Sequence, residues 1–276
     1  MNVTRWRWLW AGVLAGSLGL ESGSLRADER RFTYVYEPET LPAGAFEVEN
    51  WVTYGTGRNA TVGQENYQSW GLRQELEYGV SDRYTVALYL NEAAESYRDP
   101  ANGDHSSSFD WKGVSLENRF NLVNPAAHAL GVTLYLEGRY SGDEAAVEEK
   151  IIIGQRYGAW KWALNLSHET EWEEELSEVE GEVAVSLGLA RDLGNHWSLG
   201  LEVLNENLLP EYKAWESSAL FVGPVLGYRQ ERWWAALTVM PQVYGWNNSA
   251  SQDGNRHLEL VDHERLNVRL LFGFNF

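Results

Sequence analysis

Downstream of residue 44 the chain alternates apolar and polar residues in stretch after stretch. In "YTVALYLN", Tyr84, Val86, Leu88 and Leu90 fall to one side and Thr85, Ala87, Tyr89 and Asn91 to the other. "GVTLYLEGRY" sets Val132, Leu134, Leu136 and Tyr140 against Thr133, Tyr135, Glu137 and Arg139. "RLNVRLLFGFNF" aligns Leu266, Val268, Leu270, Phe272, Phe274 and Phe276 on a single face. A period of two is the strand signal, because successive side chains of a strand point to opposite faces. The pattern predicts about twelve strands, near 45–57, 67–79, 84–94, 111–121, 130–141, 148–156, 159–169, 179–191, 196–206, 216–228, 232–244 and 260–276.

Two arrangements suit such strands: a soluble sandwich and a transmembrane barrel. Most of the segments are long enough for a tilted strand to cross a bilayer. Tight connections ("GVSDR", "RYGAW", "DLGNH", "YRQER") alternate with long polar ones ("ESYRDPANGDHSSSFD", "ETEWEEELSEVE", "GWNNSASQDGNRHLELVDH"). Tyr78, Tyr84, Phe120, Tyr157, Trp160, Trp197, Tyr228 and Trp233 flank the tight turns, while Tyr54, Trp70, Trp111, Tyr140, Tyr244 and Trp246 lie near the long loops. Two aromatic girdles with short turns on one side are the pattern of an outer-membrane barrel, and the mid-strand Glu and Arg of the other face suit a wet lumen. The expected fold is therefore all-β: a transmembrane antiparallel barrel of about twelve strands over residues 44–276. Asn50, Gln74 and Asn118 fall against the pattern on the lipid face, and Pro224 inside a strand demands a bulge at Gly223-Pro224.

The first residues change the compartment. Arg5 and Arg7 precede an apolar run from Trp8 to Leu20, followed by small and polar residues up to Ala27. That run is too short for a spanning helix and reads as a cleavable signal peptide over 1–27. Residues 28–43 then form a periplasmic N-terminal segment that lines or plugs the periplasmic mouth. The formal net charge is −18; without residues 1–27 there remain 19 bases against 39 acids, or −20. With no basic run to follow a phosphate backbone, nucleic acid is excluded as a partner. The absence of cysteine removes disulfides, thiolate nucleophiles and cysteine metal sites.

Alternation sends Arg73, Glu75, Glu77, Glu117, Arg119, Glu137, Arg139 and Arg269 to the lumen as pore-lining residues, together with Glu47, Glu49, Lys161, Glu180, Glu182 and Glu202. Acids in excess at a pore favour cations. The competing reading is that Arg73/Glu75, Glu117/Arg119 and Glu137/Arg139 are structural pairs filling a closed barrel, since twelve strands lie between filled and open barrels. Eight glutamates between Glu169 and Glu182 form an acidic crown at the long-loop side. Their spacing matches no calcium loop, and no metal site is assigned. For catalysis, Ser167-His168 and His105-Ser106 are the serine–histidine neighbours; the first pair points to opposite faces and the second lies in a loop. No catalytic residue is assigned, no phosphate-cradling loop or HExxH motif occurs, and no cofactor is implied.

The C-terminal strand closing on Phe276 resembles the terminal strand of bacterial outer-membrane barrels; the resemblance implies that Phe276 is an assembly signal read by the barrel-assembly machinery. "RFTYVYEPETLPAGAFEVENWVTY" with "LEYGVSDRYTVALYLN" resembles a family of uncharacterised bacterial outer-membrane proteins distantly similar to porin-like or transporter-like barrels. It implies no catalytic or binding residues. The sequence thus points to an exported outer-membrane protein surrounded by lipid, acting as a porin-like channel or small-solute transporter with a weakly cation-preferring lumen. The alternatives are a closed barrel binding cations or a surface partner through acidic loops and, third, an outer-membrane lipid hydrolase.

Overall fold

The computed structural model describes residues 30–58, 65–99, 101–173, 176–248 and 257–276. The expected signal peptide, 1–27, lies outside the described residues. Twelve strands follow in order: β1 (Phe46–Thr56), β2 (Glu65–Ser81), β3 (Tyr84–Arg98), β4 (His105–Val123), β5 (Gly131–Tyr140), β6 (Ala145–Tyr157), β7 (Trp160–Glu173), β8 (Glu178–Leu193), β9 (Trp197–Pro210), β10 (Ser217–Arg229), β11 (Trp233–Asn247) and β12 (Leu266–Asn275). Each pairs antiparallel with its neighbours in sequence, and β1 pairs with β12 from Glu47↔Asn275 to Thr56↔Leu266, closing the barrel without an edge.

The alternation resolves as an inside-out protein. Leu116 is 51% exposed on the outer face, while its neighbour Glu117 is fully buried in the interior. A sandwich would bury the leucine. The outer face is leucine- and valine-rich between two aromatic belts; on β2, Tyr78 and Trp70 are eight residues apart, a height of about 21 Å for a strand tilted by about 40°, close to the ~25 Å apolar band of such barrels. Fold and belts place the protein in the bacterial outer membrane, with the tight turns on the periplasmic side.

The strands outrun their apolar pattern on the extracellular side. β3 and β4 pair as far as Arg98↔His105, so His105 opens a strand instead of sitting in a loop, and β7 and β8 pair as far as Glu173↔Glu178. Beyond the lipid neither face needs to be apolar, so the period-two signal ends before the hydrogen bonds do. The opposite error occurs at β12, which begins at Leu266 instead of residue 260. Bulges adjust the wall. Gly113 (φ +91°) occupies the left-handed region at the β3–β4 shift between Asn91 and Glu92, where a side chain would also strike the Tyr140 carbonyl. At Pro224 the strand keeps its ladder to β9 (Pro224↔Leu201), but the pairing with β11 is interrupted between Phe221 and Val225 and its register shifts at Leu220/Phe221. The irregularity that the proline demands is thus confined to one side of β10.

Candidate functional site

The interior has two halves. The periplasmic half is filled by residues 30–43, which enter as an irregular strand of chain and leave through the Gly44 turn into β1. This plug is held through its own backbone. Glu202 Oε1 on β9 accepts from the N–H groups of Thr33 (3.0 Å), Tyr34 (2.7 Å) and Val35 (3.1 Å). Asn165 on β7 accepts from Tyr36 N–H at 2.7 Å and donates to the Tyr36 carbonyl at 2.9 Å, reproducing a ladder pair with a side chain. Asn121 donates to the Pro38 carbonyl at 2.8 Å, and Leu41 N–H donates to Thr85 Oγ1 at 2.9 Å. Missing side chains make room: a Cβ at Gly188 would lie 2.7 Å from the Phe32 ring. A plug without regular structure has unpaired main-chain groups, and burial would be costly without these partners.

Ion pairs complete the packing. Arg30 reaches Glu49 at 3.4 Å and lies over the rings of Tyr36 and Trp51; Arg31 pairs with Asp192 at 3.2 Å, and Lys161 pairs with Glu39. Glu77, Glu117 and Arg119 form a fully buried group, in which Arg119 bonds both acids and the Tyr89 hydroxyl lies within hydrogen-bond reach of Glu117 and Glu75. The carboxylates of Glu49, Glu75 and Glu77 approach within 4.8 Å of one another, and Trp51 Nε1 donates to Glu49 and Glu75.

The extracellular half is a cavity of about 820 Å³. Arg73, Glu137, Arg139 and Arg269 lie on its wall; Glu75, Glu77, Glu117 and Arg119 do not, being packed in the filled half. Charge is segregated around the wall. Arg58, Arg73, Arg139 and Arg269 stand on the arc from β12 through β1 to β5, whereas Glu148, Glu169, Glu182 and Glu206 stand on β6–β9. The bases are engaged: Arg73 with Glu137 (2.7 Å), Arg58 with Glu264 (3.0 Å), Arg139 with Glu171, and Arg269 over the Tyr34 ring. On the other arc Glu148 pairs with Lys150 (2.6 Å) and Glu169 reaches Arg139 (3.8 Å), while Glu180 and Glu182 meet no base within ion-pair distance among the described residues, so acids are in excess there. The glutamates of the expected crown that belong to β7 and β8 face this cavity, as Glu169, Glu171, Glu180 and Glu182 show by grouping around one recess.

Residues 257–265, expected to be partly strand, instead fold over the cavity. Glu259 is fully buried and seats the turn, accepting from the N–H groups of Val261 (2.8 Å), Asp262 (3.1 Å) and His263 (3.0 Å) and from the His263 ring (2.6 Å). Burial alone would lower the pKa of His263, but the Glu259 bond and the charges of Glu206 and Glu264 outweigh it and raise it above the ordinary value. Burial would likewise raise Glu259, yet His263 and the loop amides bring it below the ordinary carboxylate range. Nothing in the local pattern marks Glu259 or Asn165: the partner of Asn165 is an unpaired backbone 129 residues away, and Glu259 caps amides two to four residues on in a stretch that the alternation assigns to a strand.

The serine–histidine pair behaves as alternation requires: Ser167 follows the inward set of β7 and His168 the outward set. His168 is held instead by Glu149 (2.9 Å) and by the hydroxyl of Tyr212 (2.9 Å), from the loop after β9. Phe276 is 79% exposed at the periplasmic rim, its N–H bonded to the Phe46 carbonyl at 3.0 Å.

These features define an outer-membrane β-barrel whose interior, among the described residues, is filled by a plug at the tight-turn end and hollow at the other. The chain belongs to a family of unknown function, DUF6662, whose model matches residues 24–151 and 148–276. No curated protein matches it in sequence. In structure it is similar to the COG4313 outer membrane channel from Pseudomonas putida F1, with a TM-score of 0.59 at 15% identity over 86% of this chain and 97% of that one. Weaker likenesses include the KdgM porin (TM-score 0.48, 5% identity, 84% of this chain and 99% of that one) and the NanC porin (0.48, 8%, 84% and 100%). At these identities the likeness concerns the fold.

Proposed function

We propose that the protein is a porin-like outer-membrane channel for small solutes, with a vestibule that prefers cations. The observation that carries this reading is the 820 Å³ extracellular cavity with an acidic arc on β6–β9. A charged ring at the entrance of a pore raises the local concentration of counter-ions and sets preference by sign. The resemblance of the fold to a solved outer-membrane channel supports the same reading. Arg73, Glu137, Arg139 and Arg269 line the path at the vestibule, and Glu75, Glu77, Glu117 and Arg119 join it only where the plug gives way. Membrane lipid, and the barrel-assembly machinery acting on the strand that ends at Phe276, complete the proposed partners.

The test is conductance in planar bilayers under a salt gradient. Discrete steps with a reversal potential on the cation side are expected, and replacing Glu182 and Glu206 with Gln moves that potential towards zero. Silence across all preparations overturns the channel; an unchanged reversal potential overturns the role of the acidic arc.

A further inference from the structure

The outer face carries one mid-membrane feature that the channel does not use. Asn50 and Gln74 are register partners on β1 and β2, both pointing to lipid. Each lies halfway between the aromatic belts: Asn50 between Phe46 and Tyr54, Gln74 between Tyr78 and Trp70. Around them are Val48, Val52, Leu72 and Leu76 on the same strands, with Phe272 and Leu90 as the flanking partners. Gln74 Nε2 reaches up to Glu92 at 3.3 Å. Asn118, also polar and on this face, accepts from the Tyr84 hydroxyl at 2.8 Å and is satisfied within the chain. Among the described contacts Asn50 has no such bond.

Amides exposed to hydrocarbon lose the hydrogen bonds that water would give them, and no lipid headgroup reaches the middle of the bilayer. For Asn50, a partner must therefore come from another protein surface. Asn and Gln each carry both a donor and an acceptor, so a side-by-side amide pair is complementary to itself when turned about a two-fold axis. Apart from Glu92, which Gln74 engages on the neighbouring strand, the surround at that level is aliphatic, which suits a second copy of the same wall better than a partner that would need its own matching polar residue. We infer that Asn50 and Gln74 form the centre of a two-fold interface between two copies of this chain, β1 and β2 of one barrel against β1 and β2 of the other.

The full chain lacks cysteine, which makes the test direct. Gln74→Cys in native membranes should cross-link with a short bifunctional thiol reagent to twice the monomer mass, while Leu134→Cys, on β5 and also facing lipid, should not. In detergent and in nanodiscs the wild type should sediment as a dimer, and Asn50→Leu with Gln74→Leu should sediment as a folded monomer. Should the double variant fail to fold, the single-cysteine comparison decides. A monomeric wild type, equal cross-linking at both positions, or a dimer untouched by the double substitution overturns the inference. Conductance measured on the same preparations separates this outcome from the channel reading, since each barrel has its own lumen.

Discussion

The backbone N–H of Tyr34 donates to Glu202 Oε1 at 2.7 Å, joining the plug to the middle of β9 across 168 residues of sequence. The same oxygen takes the N–H groups on either side, and Oε2 takes the hydroxyls of Thr33 (3.3 Å) and Thr238. Three successive main-chain donors converging on one carboxylate fix the position of a segment that has no regular structure of its own. The filled half of the barrel therefore depends on residues that recognise chain direction more than side-chain identity.

Replacing Glu202 with Gln keeps the shape and removes the charge from these bonds. Hydrogen bonds to charged groups contribute about 1.5–3 kcal/mol, so the seated fraction of the plug should fall by about tenfold to a hundredfold relative to the unseated one. The expected result is a longer open time in single-channel recordings with the barrel still folded on heat-modifiability gels. Unchanged recordings would show that Glu202 does not hold the plug.

Gly79 tests where the plug leaves the lumen. It exchanges bonds with the turn into β1, its N–H donating to Ala45 O (2.9 Å) and its carbonyl accepting from Gly44 N–H (2.7 Å). A Cβ there would stand 2.0 Å from the Pro42 carbonyl oxygen, a backbone atom that cannot swing aside. Gly79→Ala should lower stability by about 1–3 kcal/mol, the usual cost of forcing atoms into a packed site. Urea unfolding in detergent micelles followed by tryptophan fluorescence measures it, with Gly138→Ala as the control because that position is open.

The tests also show what could be read in advance. Strand number and facing were legible because lipid and lumen impose opposite polarity on every second residue from Phe46 to Phe276. The extracellular strand ends were not, since "HSSSFD" at the start of β4 has water on both sides and carries no polarity signal. The fate of residues 30–43 was equally hidden: their partners Glu202, Asn165 and Thr85 lie between 44 and 169 residues away and look like ordinary inward-facing polar groups. Without the plug's position, the inward charged residues could not be divided between the vestibule and the filled half.

A second loop contact has a comparable weak point. Tyr212 sits in the left-handed region (φ +56°), next to Glu211 (φ +49°), and its ring covers Gly181 on the outer face of β8. Its hydroxyl meets His168 and Thr170. A Cβ at Gly181 would lie 2.6 Å from the ring, so Gly181→Val should expel Tyr212 and free residues 211–216 from the wall. Limited proteolysis of intact cells should then cut at Lys213 faster than in the wild type, while the barrel remains folded. An unchanged rate would mean that the loop is held elsewhere.

The loop over the vestibule should respond to pH in two directions. The raised pKa of His263 means that its contribution is fully present below its unfolded value, about 6.5, and is lost as pH rises through the folded one. Glu259 has a lowered pKa, so its contribution is present above its unfolded value, about 4.3, and is lost as pH falls through the folded one. Asp262 works against the acidic limb: burial and the neighbouring charges of Glu259 and Glu216 raise it, so its penalty sets in as pH climbs through its ordinary value, about 3.9, and is constant above the folded one. The turn should consequently be tightest between about pH 4.3 and 6.5, where Glu259 is ionised and His263 protonated. Hydrogen exchange of the amides of Val261, Asp262 and His263, corrected for intrinsic rates, should be slowest in that interval and accelerate on either side. His263→Gln should remove the alkaline dependence that comes from the imidazole and leave the acidic one. Protection that stays flat from pH 5 to 9 in the wild type would separate the loop from the ionisation of this pair.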